Sequence, residues 1–183
     1  MIEDKQLLIV GGTKRNIGKT SLIERIIKKF SSDYDIVAFK IKTIYPNDTF
    51  FHGTDTNPLS ADEKFRLIEE KNANGNEDTN RMLKAGAKKV FKIKTKANYI
   101  SYAYEELKNK INNNSLLICE SNTLRKTVNP SIYLFVKEAN SNDMKPSAKE
   151  VIKFANKIIL TDGKNHDFNI EEICVKNNMW LLK

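Results

Sequence analysis

Cysteine is scarce: Cys119 and Cys174 are the only two in 183 residues, and each lies in an apolar run, "LLICES" and "EEICVK". So small a supply argues against a disulfide framework and suits reduced thiols packed in a core. Long apolar runs are missing as well. No stretch approaches the roughly 20 residues that a membrane span needs. The opening "MIEDKQ" is acidic and polar, unlike a secretory signal. Internal repeats and linker-like segments are also absent. No Ser/His/Asp or Cys/His pairing suggests a covalent nucleophile, and no N-K-x-D guanine-reading motif occurs. The expectation is one cytoplasmic domain over residues 1–183, with no membrane contact.

Positive charge is abundant. Lysine and arginine number 31 against 23 acidic residues, a net charge of +8. With 40% hydrophobic residues, the length suits one domain with a proper core. The lysines are spread along the chain and mixed with acids. Their densest cluster, "KAGAKKVFKIKTK", reads partly as a strand with lysines on its solvent face. That pattern fits a solvated basic surface better than a nucleic-acid groove, so nucleic acid is not an expected partner. The charge does suit a ligand carrying several phosphates.

Periodicity supplies the elements. "KQLLIVG" reads as a buried strand, and "GKTSLIERIIKKF" as a helix with Leu22, Ile23, Ile26, Ile27 and Phe30 on its apolar face. "DIVAFKIKT" is a second strand. Ile44 to Ser60, broken by Pro46, Gly53 and Pro58, reads as a long loop. "SADEKFRLIEEKN" starts like a capped helix, with Ser60 three residues before Glu63. "EDTNRMLKAGA" predicts a short helix ending at Gly86. Next come "KKVFKIK" as a strand, "NYISYAYEELKNKI" as a helix, and "SLLICES" and "SIYLFVK" as strands. "KPSAKEVIKFANK" predicts a helix, "IILTDG" a strand, and "EEICVKNNMWLLK" a hairpin turning at Asn177-Asn178. Such alternation predicts an α/β fold, a mostly parallel sheet with helices on both faces. Ligands of such sheets gather at the carboxyl ends of the strands.

One of those ends carries "GGTKRNIGKTS", residues 11–21. A phosphate site needs a strand, a tight turn exposing several backbone N–H groups, and a helix whose N-terminus faces the anion. Gly18 lets the backbone approach closely, Lys19 brings positive charge to the outer phosphates, and the Thr20 hydroxyl can bind Mg²⁺. Gly12, Thr13, Lys14, Asn16, Ile17 and Ser21 complete the expected nucleotide-binding loop. Thr13 stands where G-x-x-x-x-G-K-[ST] has its first glycine.

"GTKRNIGKT" resembles the "G-T-x-x-x-[VI]-G-K-T" loop of dethiobiotin synthetases and the "K-G-G-[VI]-G-K-T" loop of the wider SIMIBI class of P-loop NTPases. Lys14 falls on the first lysine of the latter, which in those proteins reaches the partner subunit's nucleotide; Arg15 and Asn16 replace its two glycines. "NEDTNRMLKAGAKKVF" resembles the "D-[ST]-x-x-x-x-x-A-G-A" segment of the molybdopterin-guanine dinucleotide biosynthesis accessory proteins, the MobB type. "DIVAFKIKT" and "LLICESNTL" are similar to their lysine-ending and glutamate-ending strands, in the same order. The resemblance spans most of the chain and implies the P-loop NTPase fold, GTP or ATP with Mg²⁺, a homodimer, and a molybdopterin-pathway enzyme as partner. Asn122 stands where those proteins have glycine, and Lys42 leads into "TIYPNDTFFHGTDTN" where they have a histidine-containing segment of their own.

Roles follow for particular side chains. Glu120 ends an apolar strand at the edge that bears the loop, where a metal-supporting or water-orienting carboxylate belongs. Lys19 and Glu120 are the expected catalytic pair, and Thr20 and Glu120 the expected metal ligands. Lys42 is expected to reach the phosphates from its strand end. Asp78 suits either a Mg²⁺-bound water or the start of a helix. Arg81 is a candidate for an anionic group, although a solvated helix face reads better. Asp48, His52 and Asp55 lack recognised metal-ligand spacing and read as a substrate loop. His166 reads as a turn residue, and Asp162 as an acceptor for a nucleotide base. The functional expectation is a Mg²⁺-dependent nucleoside triphosphate-binding protein and weak NTPase assisting molybdenum cofactor guanylylation. The alternative is an ATP-dependent small-molecule kinase or ligase resembling dethiobiotin synthetase. A regulatory module switched by nucleotide is a third reading.

Overall fold

In the computed structural model, residues 1–45 and 57–183 are described. Strand β1 (Ile2–Gly12) leads through the glycine loop into helix α1 (Lys19–Phe30), followed by β2 (Ile36–Ile44), β3 (Phe65–Glu69), α2 (Asp78–Lys84) and β4 (Lys89–Lys96). Then come α3 (Ile100–Asn109), β5 (Leu116–Glu120), β6 (Val128–Glu138), α4 (Pro146–Lys149), β7 (Lys157–Thr161), β8 (Ile173–Lys176) and β9 (Met179–Leu182). Seven strands form one sheet in the order β3-β4-β2-β5-β1-β6-β7. All its pairings are parallel except that of β3, an antiparallel edge strand. The protein is therefore α/β, with a mostly parallel sheet.

Alternation along the strands divides the core into two layers. Leu8, Val10, Ile36, Ala38, Leu116 and Ile118 face α1, α2 and the β8–β9 hairpin. Leu7, Ile9, Val37, Phe39, Leu117 and Cys119 face α3 and α4. Strands covered on both sides read as continuous apolar runs, as "LLIV" and "LLIC" do. The hairpin turns at Asn177 and Asn178, both at positive φ (52° and 56°), a conformation that asparagine tolerates better than most residues. Its Trp180 is fully buried, donates from Nε1 to the Leu117 carbonyl at 3.1 Å, and meets Phe30 edge-on.

Two expected helices are corrected. "SADEKFRLIEEKN" makes the Ser60–Glu63 cap contact, with the Ser60 amide donating to Glu63 Oε2 at 2.8 Å, yet the chain continues as a strand. Phe65 and Leu67 pack into the second core layer while Phe65–Glu69 pairs with β4. Ladder and burial together outweigh a modest local helix preference. "KPSAKEVIKFANK" gives only the turn Pro146–Lys149 and a 3₁₀ turn at Ile152–Phe154. No described helix is long and apolar enough to cross a membrane.

Candidate functional site

β1, β5 and β2 lie side by side and run the same way, so their carboxyl ends share one edge. Val10 is level with Glu120, and Glu120 with Lys40. The loop after β1 is fastened beneath this edge. Asn122 Nδ2 donates to the Gly12 carbonyl at 3.0 Å, while the Gly12 amide donates to Asn122 Oδ1 at 2.8 Å. The Thr13 amide donates to the Val136 carbonyl at 3.1 Å. Gly12 has to lack a side chain: a Cβ there would sit 2.9 Å from both Ile17 Cδ1 and the Val136 carbonyl oxygen. Gly18 turns the chain into α1 at φ +86°, a left-handed conformation costly to other residues. Thr13 is not among the residues at positive φ, so glycine's conformational freedom is not required where the loop motif has its first glycine. Asn16, at φ 55°, is the non-glycine residue of the loop with a left-handed backbone.

From Lys14 to Ser21, no backbone amide has an acceptor among the described residues, and the first Gly18 carbonyl bond comes from Leu22. The same loop holds Lys19, whose ammonium donates to the Lys14 carbonyl at 2.8 Å and lies 3.8 Å from Glu120 Oε1. Burial lowers the Lys19 pKa, against the opposing pull of Glu120. Beside it the Thr20 hydroxyl faces two carboxylates, Asp78 Oδ1 at 2.8 Å and Glu120 Oε2 at 3.0 Å. A single hydroxyl proton cannot serve both acceptors fully, so the oxygens depend on nearby cations. Lys40 is one, paired with Asp78 and 3.4 Å from Glu120 Oε1. Burial would lower its pKa, but the two carboxylates outweigh that and raise it. Likewise the Asp78 carboxyl, which burial would raise, is held below its ordinary value by Lys40 and Thr20. Thr20, Asp78 and Glu120 form a hard-oxygen set of the kind Mg²⁺ prefers.

The expected residues thus divide. Gly12, Thr13, Lys14, Asn16, Ile17, Gly18, Lys19, Thr20 and Ser21 form the loop and helix start, with Asp78 and Glu120 gathered against it. Asp78 opens α2 while also contacting Thr20 and Lys40. Lys42 lies two residues beyond the level of Glu120, on the part of β2 that pairs with β4 alone. Lys14 pairs with Glu138 at 2.6 Å. Arg81 is engaged by Glu24 at 2.7 Å and by Ser21 Oγ at 3.1 Å. The Asp162 carboxylate accepts the Lys164 and Asn165 amides and closes its own turn. Asp48, His52 and Asp55 lie outside the described residues.

Sequence reasoning missed three participants. Lys40 emerges only once the level of β2 against β5 is known. His166 lies over the loop: a Cβ on Gly18 would be 2.6 Å from its Nε2, and burial lowers its pKa. Lys145, in the segment after β6, donates its amide to the Thr13 carbonyl at 3.1 Å. Its ammonium is crowded by protein and then by Lys19, which push its pKa down to about 8. No local motif marks either His166 or Lys145. Compared with known proteins, the chain matches no protein-family model, no curated protein and no solved structure.

Proposed function

We propose that this is a Mg²⁺-dependent nucleoside triphosphate-binding protein with the P-loop NTPase fold, of the SIMIBI class and MobB-like. The observation that carries the reading is the row of amides from Lys14 to Ser21, without intramolecular acceptors among the described residues, in a loop that also holds the buried Lys19 through the Lys14 carbonyl. Such a cradle at a helix N-terminus attracts phosphate through oriented N–H groups and a fixed charge. Thr20, Glu120 and Asp78 would hold Mg²⁺, which when bound neutralises phosphate charge. Lys19 binds the outer phosphates, and Glu120 orients water, so that positioning and electrostatics supply a slow GTPase or ATPase activity. In this reading the protein is a homodimer that assists a molybdopterin-pathway enzyme.

A second reading, an ATP-dependent kinase or ligase, is favoured by one observation. Lys42, Lys94 and Arg66 stand level on neighbouring strands β2, β4 and β3, on one face of the sheet. That face also carries Lys40 and Glu120, so an anionic acceptor would meet a cluster of basic side chains next to the phosphate site, with Arg66 paired to Glu63 and Lys94 buried.

The test titrates wild type and Lys19→Ala with GTP, ATP, GDP and ADP plus Mg²⁺, following heat and melting temperature. At a hundredfold excess over Kd, binding adds about 2.7 kcal/mol, or roughly 5–10 °C in Tm for a chain of this size. The shift is expected for wild type and lost in Lys19→Ala. ADP release that depends on an added anionic acceptor would mark the kinase or ligase. Absence of any nucleotide binding by wild type would overturn both readings.

A further inference from the structure

The phosphate cradle described above has one cation from outside its own loop, Lys145, whose ammonium makes no hydrogen bond and no ion pair among the described residues. Lys145 lies more than a hundred residues from Lys19 in the chain, yet its backbone amide is tied to Thr13 at the mouth of the loop by a 3.1 Å bond. Its own carbonyl accepts the amides of Ala148 at 2.9 Å and Lys149 at 3.2 Å, which fixes the residue at the head of the short α4 turn. Proline at position 146 sets the direction of the chain immediately after it. The backbone of Lys145 is therefore held by three hydrogen bonds, one of them to the cradle.

The ammonium has no comparable arrangement. Among the described residues it makes no hydrogen bond and no ion pair, whereas Lys14, Lys19 and Lys40 each have a carboxylate within reach. The charged groups that act on it come from every element packed round the site: Lys19 at the head of α1, Arg15 in the loop, Lys40 on β2 and Glu120 at the end of β5. Three of those four are cations. The residue as a whole remains exposed, at the rim of the site, while its ammonium is crowded by protein. Crowding first, and the neighbouring cations after it, bring its pKa down to about 8. A cation on an anchored backbone, crowded among like charges, gains most from a polyanion.

We infer that Lys145 is a phosphate-binding residue of this site, one that engages the outermost phosphate of a nucleoside triphosphate and sets the preference for triphosphate over diphosphate. The inference rests on the nucleotide-binding reading above. The outer end of the chain of phosphates is its place because its charged neighbours, Lys19 and Glu120, are the groups assigned to the outer phosphates and the metal. Lys145 would thus link the β6–α4 segment to the presence of the last phosphate.

The experiment measures Kd for ATP and ADP, and for GTP and GDP, with Mg²⁺, in wild type, Lys145→Met and Lys145→Arg. Each titration is run at pH 8 in two buffers of different ionisation heat, so that proton uptake is counted as well as affinity. A charge-assisted contact predicts roughly a tenfold or larger loss of triphosphate affinity in Lys145→Met, with diphosphate affinity little changed. Wild type is expected to take up a fraction of a proton with the triphosphate, Lys145→Met none, and Lys145→Arg is expected to keep the preference. Equal loss for both nucleotides, or unchanged affinity with unchanged proton uptake, would overturn the role of Lys145 while leaving nucleotide binding intact. Failure of wild type to bind any nucleotide would overturn both.

Discussion

At the residue scale, the loop is fixed by contacts that forbid small changes. Gly12→Ala places a Cβ 2.9 Å from the Val136 carbonyl oxygen, a backbone atom that cannot swing aside. Relief requires Gly12 to withdraw, which loosens the paired contacts with Asn122 and moves Lys19, whose Cδ lies 3.0 Å from the added carbon. The variant is expected to lose about 2 kcal/mol of stability, read as a lower denaturant midpoint, and, on the proposed reading, nucleotide binding with it. Lys145 has a pH consequence of the opposite kind to a salt-bridged lysine. Its folded pKa of about 8 lies below the ordinary lysine value of roughly 10.4. The unfolded chain then binds more protons between those values, so stability of the ligand-free protein rises with pH across that window. Below about pH 8 the penalty of keeping the ammonium charged is fully present. Melting curves from pH 7 to pH 10 should accordingly show Lys145→Met more stable than wild type at the acid end, with the difference shrinking toward the alkaline end.

At the element scale, the β8–β9 hairpin acts as a clamp across the first core layer. Trp180 is the only tryptophan, so its fluorescence reports that layer directly. Trp180→Ala empties a fully buried site, breaks the bond to the Leu117 carbonyl and is expected to cost about 4 kcal/mol, measured by circular dichroism in denaturant. The hairpin was readable because Asn177-Asn178 is a local signal, as were β1, α1 and β5, whose apolar runs and spacing carry their own information. Two segments were not. "EKFRLIEEK" has helix-forming residues throughout, and only the neighbouring β4, invisible to local pattern, decides for a strand. "KPSAKEVIKFANK" has proline in its first turn but breaks after Lys149. The site divides along the same line. Lys19 and Thr20 come with their motif, and Glu120 with its strand end, whereas Lys40 and Lys145 are brought in by register and by a loop that closes from a distance.

At the scale of the whole molecule, a net charge of +8 meets an edge where Lys19, Lys40, Arg15 and Lys145 converge. If the proposed nucleotide site lies here, four cations round two carboxylates would give it part of its affinity through long-range attraction, which salt screens within about 8–10 Å at ordinary ionic strength. Affinity for a triphosphate is therefore expected to fall several-fold as salt is raised, and more steeply in wild type than in Lys145→Met. Equal slopes would place Lys145 outside the ligand's field.

The strand order also sets a timetable. β1 is made first, but its two neighbours are β5 and β6, and the Gly12 amide waits for a side chain 110 positions later. During synthesis, an apolar strand with both edges open must persist until most of the chain has emerged, which invites capture by chaperones or by other chains. Because these pairings are distant in sequence, refolding followed by Trp180 fluorescence should be slow, on the order of milliseconds to seconds. The glycine loop, though encoded near the start, would then be among the last parts of the molecule to take its working shape.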